Sequence, residues 1–374
     1  MKCLSISCFD HYPTRMESIN AFFADHGYDV TYVITDYQHF EKKRYSCSYS
    51  RTKTIQLHVP AYKKNISPSR LISHYVFSKK LGRVLKKETP DIIYCMFPPN
   101  SLLKEVAKYK EAHSCKLVLD CYDMWPESFP YSNTKGLLKL PFAAWASMRN
   151  KYLHIADLII TVSEESKKAL QQLCGIPVSV LRPALALYDM PVYTYDTDKE
   201  IRFLYLGNIN HIVNIDLCER FLSEMAKRKK TILHIIGSGQ FMNDLLQRLQ
   251  SARVEVVTHG VIFDAERKKE IFSMCHLGLN IPREEIQSTM PLKAIEYMRF
   301  GLPFINTGIG DIKDIVEKRE IGLNLKSEDV SDTCERICQL QDNEFQQLSD
   351  NCYQCYRDEF MNQNYDEVFA EVLK

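Results

Sequence analysis

Short, unbroken apolar runs recur along this chain, and each is followed by a stretch with helical periodicity. A strand buried on both faces reads as a continuous apolar run; a strand with one wet face alternates. Runs at Lys2–Cys8, Asp29–Thr35, Asp91–Phe97, Lys116–Cys121, Asp157–Val162 and Val178–Leu181 are of the buried kind. Thr54–Pro60 alternates. The helical stretches between them include Arg15–His26, Ser69–Lys87 and Leu102–His113, stopped by Gly27, Pro90 and a polar turn. Strand–helix alternation of this kind predicts an α/β fold with a parallel sheet covered on both faces.

The alternation then pauses and restarts. Residues Asp189–Lys199 are polar, rich in Tyr and Asp, and read as a linker. Strand runs resume at Ile201–Leu206 and continue at Thr231–Ile236, Val254–Thr258, Leu277–Ile281 and Phe304–Asn306, and 329–374 looks helical throughout. A chain of 374 residues is also long for a single core. The expected organisation is therefore two doubly wound domains, 1–188 and 200–350, joined by 189–199 and closed by helices at 351–374 packed outside the second sheet. Such sheets bind ligands at the carboxyl ends of their strands, so a cleft between two such edges is expected.

Composition narrows the function. A net charge of +1 argues against a globally basic nucleic-acid binder. The thirteen cysteines are an odd number without a framework, and Met1-Lys2-Cys3 leads straight into a strand, so reduced thiols in a cytoplasm are expected. Cys352/Cys355 and Cys334/Cys338 have one-turn spacing but no second pair, and are read as structural, with no metal. The charge is unevenly placed. From Lys42 to Lys87 there are thirteen Lys or Arg and no Asp or Glu, with Tyr45, Tyr49, Tyr62, Tyr75 and Phe77 interleaved. Basic residues among interfacial aromatics suit an anionic membrane surface, with Lys79, Lys80 and Arg83 as candidates. A nucleic-acid patch would carry a recognition motif, and none is present.

Four segments carry candidate chemistry. In MPLKAIEYMRFGLPFI, from Met290 to Ile305, a short helix ends at Gly301 and feeds an apolar strand. Its Lys293 and Glu296 share a face. Glu296 is suited to accept hydrogen bonds from ribose hydroxyls, and the helix N-terminus to hold a phosphate; the competing reading is an ordinary surface ion pair. Gly207-Asn208 and Gly237-Ser-Gly239 follow strands and would bring backbone N–H groups to a ligand, or simply turn tightly. Met242 stands where a dinucleotide fingerprint requires glycine, and there is no P-loop. Asp123-Met-Trp125-Pro126-Glu127 follows the Lys116–Cys121 run. Trp125 offers a platform for a sugar ring, and Asp123 or Glu127 a base; alternatively the segment is a capped helix start. Asp10-His11 and Arg15 follow the first strand, where His11 would contact the donor phosphate or the acceptor and Arg15 the acceptor or the membrane, and a solvated loop histidine is the rival.

Read in order, these segments resemble a known family. Pro90-Asp91-Ile-Ile-Tyr94, Pro98-Pro99, Leu119-Asp120-Cys-Tyr-Asp123-Met-Trp-Pro126-Glu127, Ala156–Ser163, Leu206-Gly207-Asn208, Ile236-Gly237-Ser-Gly239 and Lys293-Ala-Ile-Glu296-Tyr-Met-Arg-Phe-Gly301-Leu-Pro303 are similar to the landmarks of GT-B glycosyltransferases of family 4, the type that builds bacterial capsule or O-antigen polysaccharide. The resemblance implies GT-B architecture, with a nucleotide-sugar, UDP- or GDP-linked, in the second domain. Glu296 would hold the ribose, Lys293 the phosphate, and backbone near Gly207 and Gly239 the nucleotide or diphosphate. It implies a lipid-linked glycan acceptor in the first domain, at the cytoplasmic face of the inner membrane. It implies no metal or other cofactor, and retention of configuration; inversion would require Asp123 or Glu127 as base. The chain departs from the family pattern in three places. Ser288 occupies the position of a first glutamate, residues 208–214 contain no Arg or Lys, only His211, and a glycine pair after the first strand is missing. A nucleotide-sugar epimerase of the same architecture and a non-catalytic binding subunit are the alternatives.

Overall fold

The computed structural model describes residues 1–49, 52–65, 67–128, 139–284, 286 and 290–373. It divides into two compact units, Met1–Pro183 with Asn364–Lys374, and Ala184–Gln363.

The first unit is built on strands β1 (Lys2–Ser7), β2 (Asp29–Thr35), β3 (Lys53–Leu57), β4 (Ile92–Phe97), β5 (Lys116–Cys121), β6 (Leu158–Thr161) and β7 (Val178–Val180). They form one sheet in the order β3-β2-β1-β4-β5-β6-β7, with every pairing parallel. Helices α1 (Pro13–Asp25), α2 (Pro68–Glu88), α3 (Ser101–Ala112), α4 (Lys139–Leu153) and α5 (Glu164–Cys174) make the crossovers. All six residues of β4 are buried, as a continuous apolar run requires. The end positions follow local chemistry. Ser67 caps α2 by accepting a hydrogen bond from the Arg70 N–H, with Pro68 at the first helical position. Ser163 caps α5 in the same way, with Glu164 and Glu165 in the first turn.

The second unit repeats the plan. Strands β8 (Glu200–Leu206), β9 (Lys230–Ile236), β10 (Glu255–Gly260), β11 (Leu277–Asn280), β12 (Phe304–Asn306) and β13 (Gly322–Asn324) form a parallel sheet in the order β10-β9-β8-β11-β12-β13. The connecting helices are α6 (Ile215–Ala226), α7 (Met242–Ser251), α8 (Ala265–Ser273), α9 (Leu292–Arg299) and α10 (Asp311–Arg319), followed by α11 (Val330–Gln339) and α12 (Asp342–Tyr356). In each sheet the strand order reverses once, between β1 and β4 and between β8 and β11. That reversal opens a crevice at the carboxyl edge, the usual ligand position.

Two expectations about domain limits are corrected. Residues 189–199 are not a free linker. The chain first changes unit at Pro183, and Tyr193 is buried against the second core with its hydroxyl donating to the Phe300 carbonyl at 2.9 Å. The last helix, α13 (Tyr365–Leu373), does not close the second sheet but returns to the first unit. There Phe369 stacks on Phe22 at 4.9 Å and Val372 is buried. Burying a Phe and a Val side chain is worth about 1.5–3 kcal/mol each, ample reason for the return.

Candidate active site

The donor-side residues meet at the carboxyl edge of the second sheet, around the reversal. Gly207 leaves β8 with φ 114°, and a side chain built there would point at Lys293, its Cβ 4.0 Å from Cε. Gly237 and Gly239 have a packing role. A Cβ on Gly237 would stand 1.9 Å from the Gly207 carbonyl oxygen, and one on Gly239 2.2 Å from that of Ile209. The two loops therefore lie backbone against backbone, tied by Gly207 N–H to the Ile236 carbonyl and Ile209 N–H to the Ser238 carbonyl, both at 2.8 Å. The loop after β11 joins them, its Arg283 N–H donating to the Ile212 carbonyl at 2.8 Å. Asn208 is exposed on this rim.

Helix α9 starts at Leu292 and stops where Gly301 turns with φ 71°. Lys293 and Glu296 do not pair with each other. Lys293 donates to the Tyr205 hydroxyl at 2.9 Å and lies 4.3 Å from the centre of that ring. It has no carboxylate partner among the described residues, and burial pushes its pKa down to about 8. Glu296 is held instead by Lys268 of α8, at 2.7 Å, and by Arg299 one turn on, at 3.0 Å. Oε1 faces Lys268 and Oε2 faces Arg299, so each carboxylate oxygen is already paired with a cation. Ser288 lies outside the described residues.

In the first unit the predicted residues separate into two kinds. Arg15 is buried and forms a two-pronged pair with Asp120, at 2.7 and 2.8 Å, while donating to the Leu181 carbonyl at 2.7 Å. It lies inside the unit, so its expected contact with acceptor or membrane is corrected. Glu127 also forms a two-pronged pair, at 2.6 and 2.8 Å, with Arg149, whose side chain is fully buried. That commits Glu127 to neutralising a buried charge rather than to catalysis. Residues 125–128 form a turn rather than the first turn of a helix. The turn presents Trp125, held by Asn100 and Arg149 donating to its carbonyl at 3.1 and 3.0 Å and by its own indole N–H on Asp123 at 2.9 Å. Burial raises the Asp123 pKa, against hydrogen bonds from Ser128 and Trp125. His11 sits at the end of β1 in an aromatic cluster, 4.2 Å from Tyr12 and 5.2 Å from His39 between ring centres. The basic block is partly neutralised by acids from outside it: Arg44 by Asp36, Lys53 by Glu88 and Lys79 by Glu105. Lys80 donates to the His58 carbonyl, and Arg83 is exposed.

Comparison with known proteins decides the family. A model described as Glycosyltransferase Family 4 matches residues 15–185, and one described as Glycosyl transferases group 1 matches residues 200–343. This chain is a GT-B glycosyltransferase of the family-4 type. Solved structures agree on the fold of the glycosyltransferase. Sucrose-phosphate synthase from Thermosynechococcus elongatus is 14% identical with a TM-score of 0.72, covering 99% of this chain and 100% of that one. WaaG, a glycosyltransferase involved in lipopolysaccharide biosynthesis, is 12% identical with a TM-score of 0.65, covering 99% and 98%. Anabaena HepE in complex with UDP is 15% identical with a TM-score of 0.65, covering 99% and 100%. No curated protein matches the glycosyltransferase by sequence.

Sequence reasoning missed several residues of this glycosyltransferase. Lys268 lies on a different helix from Glu296, and no local spacing announces it. Arg299 stands three residues after Glu296, so the helical repeat points to it. Tyr205 was hidden in an apolar strand. Arg70, His74, Phe142 and Trp145 surround Trp125 in an apolar cavity of about 350 Å³. Among the described residues no helix is long and apolar enough to cross a membrane, and no cluster of His, Cys, Asp or Glu could hold a metal ion.

Proposed function

We propose that the chain transfers a glycosyl group from a UDP-linked sugar to a lipid-linked glycan, in cell-surface polysaccharide synthesis at the cytoplasmic face of the inner membrane. The observation that carries the donor half is Lys293: a half-buried ammonium with no carboxylate partner among the described residues, beside the Gly207 turn and one helical turn from Glu296. A cation taken from water without a partner is costly, and a diphosphate supplies the missing charge. Glu296, held between Lys268 and Arg299, keeps lone pairs with which it then accepts from a ribose hydroxyl. UDP is the choice because HepE, of the same fold, binds it. The lipid-linked acceptor is favoured by the one-signed charge of Lys42–Lys87 and by WaaG's part in lipopolysaccharide biosynthesis.

In the reaction, the bond between the anomeric carbon and the diphosphate oxygen breaks as a new one forms to the acceptor oxygen. The acceptor's proton passes to the departing phosphate on the same face, which gives retention. Lys293 stabilises the charge that develops on the leaving diphosphate, the task a metal ion performs in other enzymes. Calorimetric titration with UDP and GDP tests the donor half. UDP binds, and Glu296→Ala lowers its affinity by about 1–3 kcal/mol. A folded protein that ignores both nucleotides would be a binding subunit, and an unchanged affinity in the variant removes the ribose role from Glu296.

A further inference from the structure

The first unit contains a buried cation with no counterion among the described residues. Arg70, in the first turn of α2, is only 8% exposed. One of its amino groups donates to the Asn65 carbonyl at 2.8 Å, and its guanidinium lies against Phe9 and Trp125, 5.5 and 5.0 Å from their ring centres. It forms no ion pair with any carboxylate among the described residues, and its Nε–H is buried without an acceptor. One turn along α2, His74 is 4% exposed and its Nε2 is likewise without a partner. Burial and the neighbouring Arg70 charge push the His74 pKa down to about 3, so its ring is neutral at pH 7. Buried polar groups are ordinarily satisfied, so two orphans one turn apart mark a place where a ligand belongs.

Both residues line the apolar cavity of about 350 Å³, a size suited to a small ligand. Its other walls are Leu71, Trp125, Phe142 and Trp145. Trp125 and Trp145 meet edge to face, 5.6 Å between ring centres. The apolar lining continues outward along α2, where Leu71, Ile72 and Tyr75 are each more than half exposed. One end of the site therefore asks for an anion and the rest for hydrocarbon that runs out to the surface. The N-terminus of α2 adds its positive end to the anion's side. A sugar or free nucleotide would leave the hydrocarbon walls wet, and a plain hydrocarbon would leave Arg70 unpaired.

We propose that this cavity binds the phosphate-proximal end of a lipid phosphate, with the phosphate on Arg70 and His74 and the first part of the chain between Leu71, Phe142 and Trp145. The assignment rests on the lipid-linked acceptor proposed above and gives it a place: the cavity holds the carrier, and Trp125 borders it.

The chain's only two tryptophans, Trp125 and Trp145, both line the cavity, so intrinsic fluorescence reports directly on its occupancy. Farnesyl phosphate is the probe, titrated into the full-length protein, with farnesol, inorganic phosphate and phosphatidylglycerol vesicles as the other arms. The expected result is a saturable change with farnesyl phosphate at an affinity at least tenfold above farnesol or phosphate alone. Arg70→Gln loses at least tenfold, and so does Leu71→Glu, whose exposed position leaves the core intact. Equal responses to farnesol and farnesyl phosphate, an equal response to the vesicles alone, no saturable change, or two unaffected variants would each overturn the assignment. Calorimetry with UDP on the same preparations separates the two proposals. Protein that binds UDP but not farnesyl phosphate defeats the cavity alone, and the reverse defeats only the donor reading.

Discussion

Arg70 in the first unit is buried and Lys293 in the second half-buried; neither has a carboxylate partner among the described residues, and their surroundings differ. Lys293 stands at a rim of polar backbone, where glycines press two loops together and Glu296 lies one turn away between Lys268 and Arg299. Arg70 stands among rings, with an orphaned Nε–H and a hydrocarbon cavity beside it. A compact ammonium on a flexible stem suits a diphosphate that arrives and leaves. A planar guanidinium stacked on an indole suits a phosphate held in one orientation. The two sheets have the same strand order at their reversals, so topology cannot account for this difference. The loops and first helical turns, which differ between the units, account for it.

Arg15 is the control for that contrast, because Asp120 already neutralises it. Replacing Asp120 with Ala leaves the buried guanidinium, and the Tyr94 hydroxyl bonded to the same carboxylate, without their partner. The expected destabilisation is about 3–5 kcal/mol, read from urea unfolding of the first unit. Nucleotide affinity, carried by the second unit, stays at the wild-type value. If Asp120→Ala unfolds no more easily than wild type, a missing counterion is not costly here, and the inference from Arg70 and Lys293 fails with it.

A smaller effect distinguishes Lys293 as a working charge. Its pKa, ordinarily 10.5, is depressed to about 8 by burial. Without ligand, the charge's burden on folding is fully present below pH 8 and is relieved as pH rises from about 8 towards 10.5. A bound diphosphate favours the charged form, so UDP binding takes up a proton near pH 8.5, and affinity falls roughly tenfold between pH 7.5 and 9.5, about 1.4 kcal/mol. Calorimetry in buffers of different ionisation enthalpy reads the uptake. Lys293→Met removes both the uptake and the pH dependence; if it keeps them, another group binds the phosphate.

Much of this was legible in the sequence, and the gaps have physical causes. Buried parallel strands announce themselves, and Asp29–Thr35, Lys116–Cys121 and Phe304–Asn306 fall where their apolar runs lie. β13 escaped because Gly-Leu-Asn, three residues at the edge of a sheet, carries no pattern. α13 was read as helix but placed in the wrong unit, since amphipathicity says that a face is buried and not against what. Glu296 and Trp125 could be singled out because their chemistry is local to one segment. Ion-pair partners distant in sequence could not be foreseen: Asp120 for Arg15, Arg149 for Glu127, Lys268 for Glu296. The orphaned atoms of Arg70 and His74 are visible only once every other polar group has been paired.

The smallest effect concerns the surface of α2, and it separates charge that works at a membrane from charge that works in the cavity. Arg83 is exposed and makes no ion pair among the described residues, whereas Lys79 is already bound to Glu105 at 2.6 Å. A free basic residue beside an anionic leaflet is worth about 1 kcal/mol, so Arg83→Gln should weaken binding to phosphatidylglycerol vesicles roughly fivefold in a sedimentation assay. Lys79→Gln should weaken it less, because its charge is partly spent on Glu105. Both effects should vanish in 1 M salt, where the screening length is about 3 Å. Binding of farnesyl phosphate at buried Arg70 should persist in the same salt, because a desolvated pair is screened far less. If salt abolishes both together, the cavity and the surface are one electrostatic patch, and the distinction between Arg70 and the exposed cations of α2 is lost.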